Sequence, residues 1–130
     1  MNAFKEYWQS TLDLFLPRAC ACCDEPLLGG EDHLCIACRA DLPFTRTEND
    51  PRSPAEKIFW GKADLIAVGS MLHFTKGGST QRLLHRIKYK GDRSLASHIG
   101  QMMARKLNSS SRFNNIDLVI PVPLHRKKQR

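Results

Sequence analysis

Long apolar runs are missing from this chain. No stretch approaches the roughly 18 apolar residues that a membrane-spanning helix needs. A basic segment followed by a clean apolar stretch is also missing at the N-terminus. Met1 to Pro17 carries Glu6 and Asp13 instead, so no secretory signal is read there. Without export, the expected location is the reducing cytoplasm, where cysteines bind metal or do redox chemistry rather than pair as disulfides. Acidic residues are scarce in the second half. Residues 67–130 hold only Asp92 and Asp117 against thirteen Lys/Arg, a net of +11. Residues 1–66 hold seven Lys/Arg and eleven Asp/Glu, a net of −4. The overall +7 therefore conceals a basic C-terminal half, the footprint of a phosphate-bearing partner such as nucleic acid, nucleotides or sugar phosphates. Repeats of about 20–50 residues are absent, which excludes a solenoid. The apolar content of 42% over 130 residues excludes global disorder and allows one ordinary domain or two small ones.

Phe4, Trp8, Leu12 and Phe15 recur at helical spacing before Pro17, which predicts an amphipathic helix over residues 3–15. Residues 18–43 are cysteine-rich and loop-like, with Pro26 and a Gly29-Gly30 turn. The polar stretch 45–57 contains two prolines and reads as a linker or exposed loop. From Asp64 to Phe74 the pattern alternates, with Ile66, Val68, Leu72 and Phe74 on one face of an expected strand. A turn at Lys76–Ser79 leads to a short helix capped by Ser79 or Thr80 and ended by Gly91. Asp92 and Ser94 begin a second helix whose apolar face is Leu95, Ile99, Met102 and Met103, with Leu107 near its end. The β-branched run Ile116–Ile120 predicts a strand buried on both faces, ended by Pro121 and Pro123. Strand, helix, helix, buried strand is the opening of an α/β fold. Further βα units do not follow within the 130 residues, so the chain is expected to be the N-terminal piece of a longer protein.

Cys20-Ala21-Cys22-Cys23 and Cys35-Ile36-Ala37-Cys38 are two CxxC pairs separated by eleven residues. Two residues between thiols let a tight turn aim both sulfurs at one ion, and Zn²⁺ prefers four such ligands in a tetrahedron. The expected set is Cys20, Cys23, Cys35 and Cys38. Cys22 lies inside the turn and is read as a non-ligand, as is His33, because four thiolates already saturate the ion. Three other uses of cysteine compete. A redox CxxC sits at a helix start and lacks a second matching pair, disulfides need an oxidising compartment, and an iron–sulfur cluster takes the same four thiolates. A closed four-thiolate zinc leaves no position for water, so one zinc here is expected to be structural.

The segment GSTQRLLHRIKYKGDRS places Leu83, Leu84 and Ile87 toward a core, with Arg82, Arg86 and Lys90 on another face at i, i+4, i+8. Lys88 adds charge, and Tyr89 can stack on a base or pack on the fold. Cations interleaved with an aromatic suit single-stranded nucleic acid. Arg126, Lys127, Lys128 and Arg130 follow the expected buried strand, where α/β sheets place phosphate ligands. No catalytic constellation is read.

Taken in order, Pro17-Arg18-Cys20-Cys23, then Cys38-Arg39-Ala40-Asp41-Leu42-Pro43, then Leu84–Asp92, then Ile120-Pro121-Val122-Pro123-Leu124-His125 resemble the ComF family, over nearly the whole chain from about Leu14. The resemblance implies an α/β fold, with a small N-terminal zinc ribbon followed by a truncated type I phosphoribosyltransferase-like domain. Its divisions would be an N-terminal helix (1–17), a four-cysteine zinc ribbon (18–46), a linker (47–63) and the incomplete domain (64–130). It further implies a role in natural transformation, with single-stranded DNA and a ComF-type helicase and other competence proteins as partners. The family's phosphoribosyl-pyrophosphate loop does not occur in these residues, so no transferase activity is expected of this chain. A full-length phosphoribosyltransferase of nucleotide metabolism and a plain zinc-ribbon binding module are the alternative expectations.

Overall fold

The computed structural model describes residues 18–122, and the helix expected over residues 3–15 lies outside them. One antiparallel bridge organises the start of the described chain. Ala19 bridges Pro26, with Leu27 N–H donating to the Arg18 carbonyl at 2.7 Å and Cys20 N–H to the Glu25 carbonyl at 2.8 Å. The chain turns at Asp24, held at φ 61°, and returns so that Ala21 N–H meets the His33 carbonyl at 2.9 Å. A short helix, α1 (Ile36–Ala40), follows. A 3₁₀ turn at Thr47–Asn49 and a one-turn helix, α2 (Pro54–Lys57), come next. The two long helices, α3 (Ser79–Tyr89) and α4 (Arg93–Asn108), close the described fold with a second 3₁₀ turn at Ser111–Phe113.

Both long helices stand where the pattern expects them, with one difference in capping. Gly78 is the N-cap of α3, and the Thr80 hydroxyl donates instead to the His73 carbonyl at 2.7 Å, tying the helix to the preceding loop. Gly91 at φ 66° lets the chain turn sharply into α4, a conformation that costs glycine little. Asp92 caps α4 by accepting from Leu95 N–H at 2.9 Å. Leu83 of α3 and Leu95 of α4 are fully buried against Cys20, Ala21, Cys22, Leu34 and Leu42, while Ile87, Ile99 and Met102 pack at the margin. The cysteine region and the two helices therefore share one core. Leu84, expected in that core, is exposed, because it lies about 100° around the helix from Leu83.

The expected strands are not formed among the described residues. Between Asp64 and Phe74 only Leu72 makes a bridge, to Phe44, flanked by Thr45 N–H to the Met71 carbonyl (2.9 Å) and His73 N–H to the Pro43 carbonyl (2.8 Å). Ile66 is 94% exposed and Phe74 is also exposed. Threonine hydroxyls take the place of a neighbouring strand. Thr47 Oγ1 accepts from Ser70 N–H at 2.8 Å and donates to the Ser70 carbonyl at 3.0 Å, and Thr45 Oγ1 donates to the same carbonyl. The residues Ile116 to Ile120, expected to be buried, are all exposed, since no described strand lies beside them to cover either face.

The stretch read as a linker is anchored instead. Ser53 caps α2 by accepting from Glu56 N–H at 3.2 Å, with Pro54 at the first helical position. Two buried carboxylates then bind the C-terminal helix region. Glu48 pairs with Lys106 of α4 at 3.0 Å, and Glu56 with Arg112 at 2.6 Å. Ser110 Oγ donates to the Glu48 carbonyl at 2.8 Å, and Lys106 also donates to the Thr45 carbonyl. Burial raises the Glu48 carboxyl, but its own backbone N–H and the Lys106 ammonium outweigh this and hold it below the usual carboxylate range. A carboxyl held low stabilises the fold above its ordinary range, and that contribution is lost as pH falls through the folded value. Thermal unfolding followed across acid pH is expected to show stability falling on acidification, and Glu48→Gln is expected to flatten that dependence. Leu95→Ala, which hollows the shared core, is expected to cost about 2–5 kcal/mol in denaturant unfolding.

Candidate metal centre and basic groove

The turn at Ala19–Pro26 and the N-terminus of α1 bring four sulfurs together. One ligand atom from each of Cys20, Cys23, Cys35 and Cys38 lies within 4.8 Å of every other, and Cys23 Sγ is 3.8 Å from Cys35 Sγ. A tetrahedron of thiolates about 2.3 Å from a zinc ion has edges of about 3.8 Å, so the spacing fits a single ion. Cys22 stands outside the cluster with its side chain in the core, as the spacing predicts. His33 is outside it as well. Its Nε2 is 3.2 Å from Ser94 Oγ on α4, and its ring lies 5.2 Å from that of His98.

Backbone N–H groups aim at the sulfurs. Cys20 Sγ accepts from Cys22 N–H and Cys35 N–H, both at 3.4 Å, and Cys35 Sγ caps α1 by accepting from Cys38 N–H at 3.4 Å. Burial opposes a charged Cys20, yet the N–H groups of Cys35, Cys22 and Cys23 outweigh it and bring the thiol down from 9.0 to about 6. Cys22 behaves oppositely. Burial, and then the charge on Cys20, push it up to about 11, as expected of a packing thiol. Cys38 is raised by burial first and then by the sulfurs of Cys23, Cys35 and Cys20. Four sulfurs this close cannot all carry charge by themselves. A cation that displaces their protons relieves the crowding, which is the chemistry of a metal centre.

Glu31 is the residue that spacing does not reveal. Its buried carboxylate accepts from Leu28 N–H through Oε2 and from Ile36 N–H through Oε1, both at 2.7 Å. It thereby clips the loop between the knuckles to the first residue of α1, next to Cys35.

The basic residues divide. Arg82, Arg86 and Lys90 line one groove of about 280 Å³ along α3, facing Ala21 and Asp24 of the first knuckle, with Gly77, Gln81 and His85 completing it. Arg82 and Lys90 are exposed, whereas Arg86 is half-buried and committed: its Nη1 donates to the Cys20 carbonyl at 3.2 Å and to Asp24 Oδ1 at 3.4 Å. Lys88 is exposed, and Tyr89 is 76% exposed with its ring 4.7 Å from that of His85. Tyr89 is thus not a core residue. Arg126, Lys127, Lys128 and Arg130 lie outside the described residues.

Single Cys→Ser changes at Cys20, Cys23, Cys35 or Cys38 are expected to abolish stoichiometric metal retention after gel filtration, while Cys22→Ala keeps it. Glu31→Gln, which removes the charge and one acceptor from the clip that holds Leu28 N–H and Ile36 N–H, is expected to lower metal affinity in a competition titration. No family model, curated protein or solved structure matches the chain.

Proposed function

We infer that the four cysteines hold one structural zinc ion, and that the folded unit binds single-stranded nucleic acid through its basic half, as the resemblance to the ComF family implies. The observation that carries the metal reading is the convergence of four sulfurs within 4.8 Å of one another, with Cys23 and Cys35 at 3.8 Å. Four thiolates complete the shell, so the ion's part is to hold the knuckles and supply folding free energy, on the order of 10–16 kcal/mol in zinc-finger peptides. Bound zinc supplies charge neutralisation among the sulfurs, and the chain's own N–H groups orient them.

Support for the nucleic-acid reading comes from charge and aromatic exposure together. The net of +11 over residues 67–130 supplies phosphate attraction. Tyr89, exposed between Lys88 and Lys90 at the end of α3, offers a stacking face that a duplex does not need and an unpaired base does. Within the ComF reading, the DNA would be the single strand taken up during transformation, and a helicase would be the partner that feeds it. No described helix is long and apolar enough to cross a membrane. A cytoplasmic location suits thiolates that must stay reduced to bind metal.

Elemental analysis of the purified chain is expected to find one zinc per molecule, removed by a chelator with loss of cooperative unfolding. Iron and sulfide with visible absorption would instead assign an iron–sulfur cluster. Single-stranded DNA is expected to bind with affinity that falls steeply with salt. Tyr89→Ala is expected to weaken binding by about 1–3 kcal/mol per stacked base while leaving the salt slope unchanged. Affinity indifferent to salt would overturn the nucleic-acid reading.

A further inference from the structure

The groove between the first cysteine knuckle and α3 carries a carboxylate in an unusual place. Asp24 faces Arg82, Arg86 and Lys90 there, one acid against three cations that rise along the helix. Successive members are four residues apart, a step of about 6 Å along the axis. Asp24 is not buried to stabilise the fold: its side chain is 81% exposed, and its contact with Arg86 Nη1 is long, at 3.4 Å. An exposed pair of this length contributes little to stability. Arg86, in contrast, is positioned by the Cys20 carbonyl, and its Nε is buried without a hydrogen-bond partner among the described residues. The guanidinium is therefore fixed in place but under-satisfied, with an exchangeable anion in front of it.

We propose that this groove is the phosphate-contact surface of the basic half, and that Asp24 is a built-in competitor which a nucleic-acid phosphate displaces from Arg86. The proposal rests on the nucleic-acid reading above and names its site. A phosphate oxygen takes the place of Asp24 Oδ1 on Nη1, with Arg82 and Lys90 meeting the neighbouring phosphates. Asp24 then turns to solvent, where its exposure already allows it to be. Its carboxylate sets affinity and discriminates against partners of low charge density, because only a run of phosphates gains Arg82 and Lys90 along with Arg86. Arg86 meets a carboxylate and a phosphate with the same charge-assisted kind of bond, so the direction of the exchange comes from Arg82 and Lys90, which a run of phosphates reaches as well.

The test is fluorescence anisotropy of a labelled oligothymidylate with the full chain at about 50–200 mM salt. Each single-strand phosphate contact contributes about 0.7 to the slope of log affinity against log salt, which is about threefold in affinity over that range. Asp24→Asn is expected to bind about threefold or more tightly and to steepen the slope. Asparagine tolerates the positive φ at this position, so the knuckle keeps its turn. Unchanged metal content reports that it has done so. Arg82→Gln and Lys90→Gln, both exposed, are expected to flatten the slope by about 0.7 each. Arg52→Gln, exposed and outside the groove, leaves affinity and slope alone. If the unaltered chain binds but neither Asp24→Asn nor the two glutamine variants shift the slope, the groove assignment falls and the nucleic-acid reading survives. If the unaltered chain does not bind even at low salt, both fall.

Discussion

Crowding of four sulfurs into one tetrahedral volume is the constraint on which the rest depends. Thiols within 4.8 Å of one another repel as soon as more than one ionises, and each carries a desolvation cost at the edge of a core. A divalent ion with four open ligand positions resolves both problems at once. The chain prepares for it with geometry that costs little: two tight turns, N–H groups directed at Cys20 and Cys35, and a glutamate that clips the loop between the knuckles to the start of α1. Because Cys20, Ala21 and Cys22 also form the wall against which Leu83 and Leu95 pack, the cluster is part of the hydrophobic core rather than an appendage. So few of the described residues are fully buried that core burial alone gives a modest driving force.

A second, polar anchor operates at the other end of the described unit. Glu48 and Glu56 reach from short helical turns to Lys106 and Arg112, burying two ion pairs. Buried pairs of this kind add little net stability, since desolvation offsets attraction, but they are costly to misalign. They therefore fix the register of the Thr45–Lys57 stretch on α4 and the 3₁₀ turn that follows it more than they strengthen the fold. The threonine hydroxyls that satisfy Ser70 have the same character, replacing the regular ladder of a sheet with individually placed bonds.

The metal centre and the basic groove meet through Arg86. Its carbonyl partner, Cys20, belongs to the four-cysteine cluster, and its carboxylate partner, Asp24, sits at the turn that follows the first CxxC. Integrity of the knuckle is thus transmitted to one wall of the basic groove through a single guanidinium. The four-cysteine cluster and the basic groove are adjacent and share Arg86 as a common neighbour.

By itself the sequence determined everything that depends on local spacing. The CxxC pairs specified which four of five cysteines converge, since only their intervals aim two sulfurs from one turn. The Ser79–Tyr89 helix followed from its period, though its cap is Gly78 rather than Ser79 or Thr80, and the Arg93–Asn108 helix followed from its period and the Asp92 cap. A Ser53-Pro54-Ala55-Glu56 capping signature was present as well, although its polar surroundings disguise it as a linker. Tertiary structure decided what depends on partners distant in the chain. The Asp64–Phe74 and Ile116–Ile120 segments have strand-like patterns, but a strand exists only when another backbone completes its hydrogen bonds, and no described segment does so. Glu31, Glu48, Glu56 and Asp24 are four ordinary acids in the alphabet of the sequence. Folding made the first three into buried anchors and left the fourth exposed beside Arg86, because a carboxylate's role is set by which donors surround it.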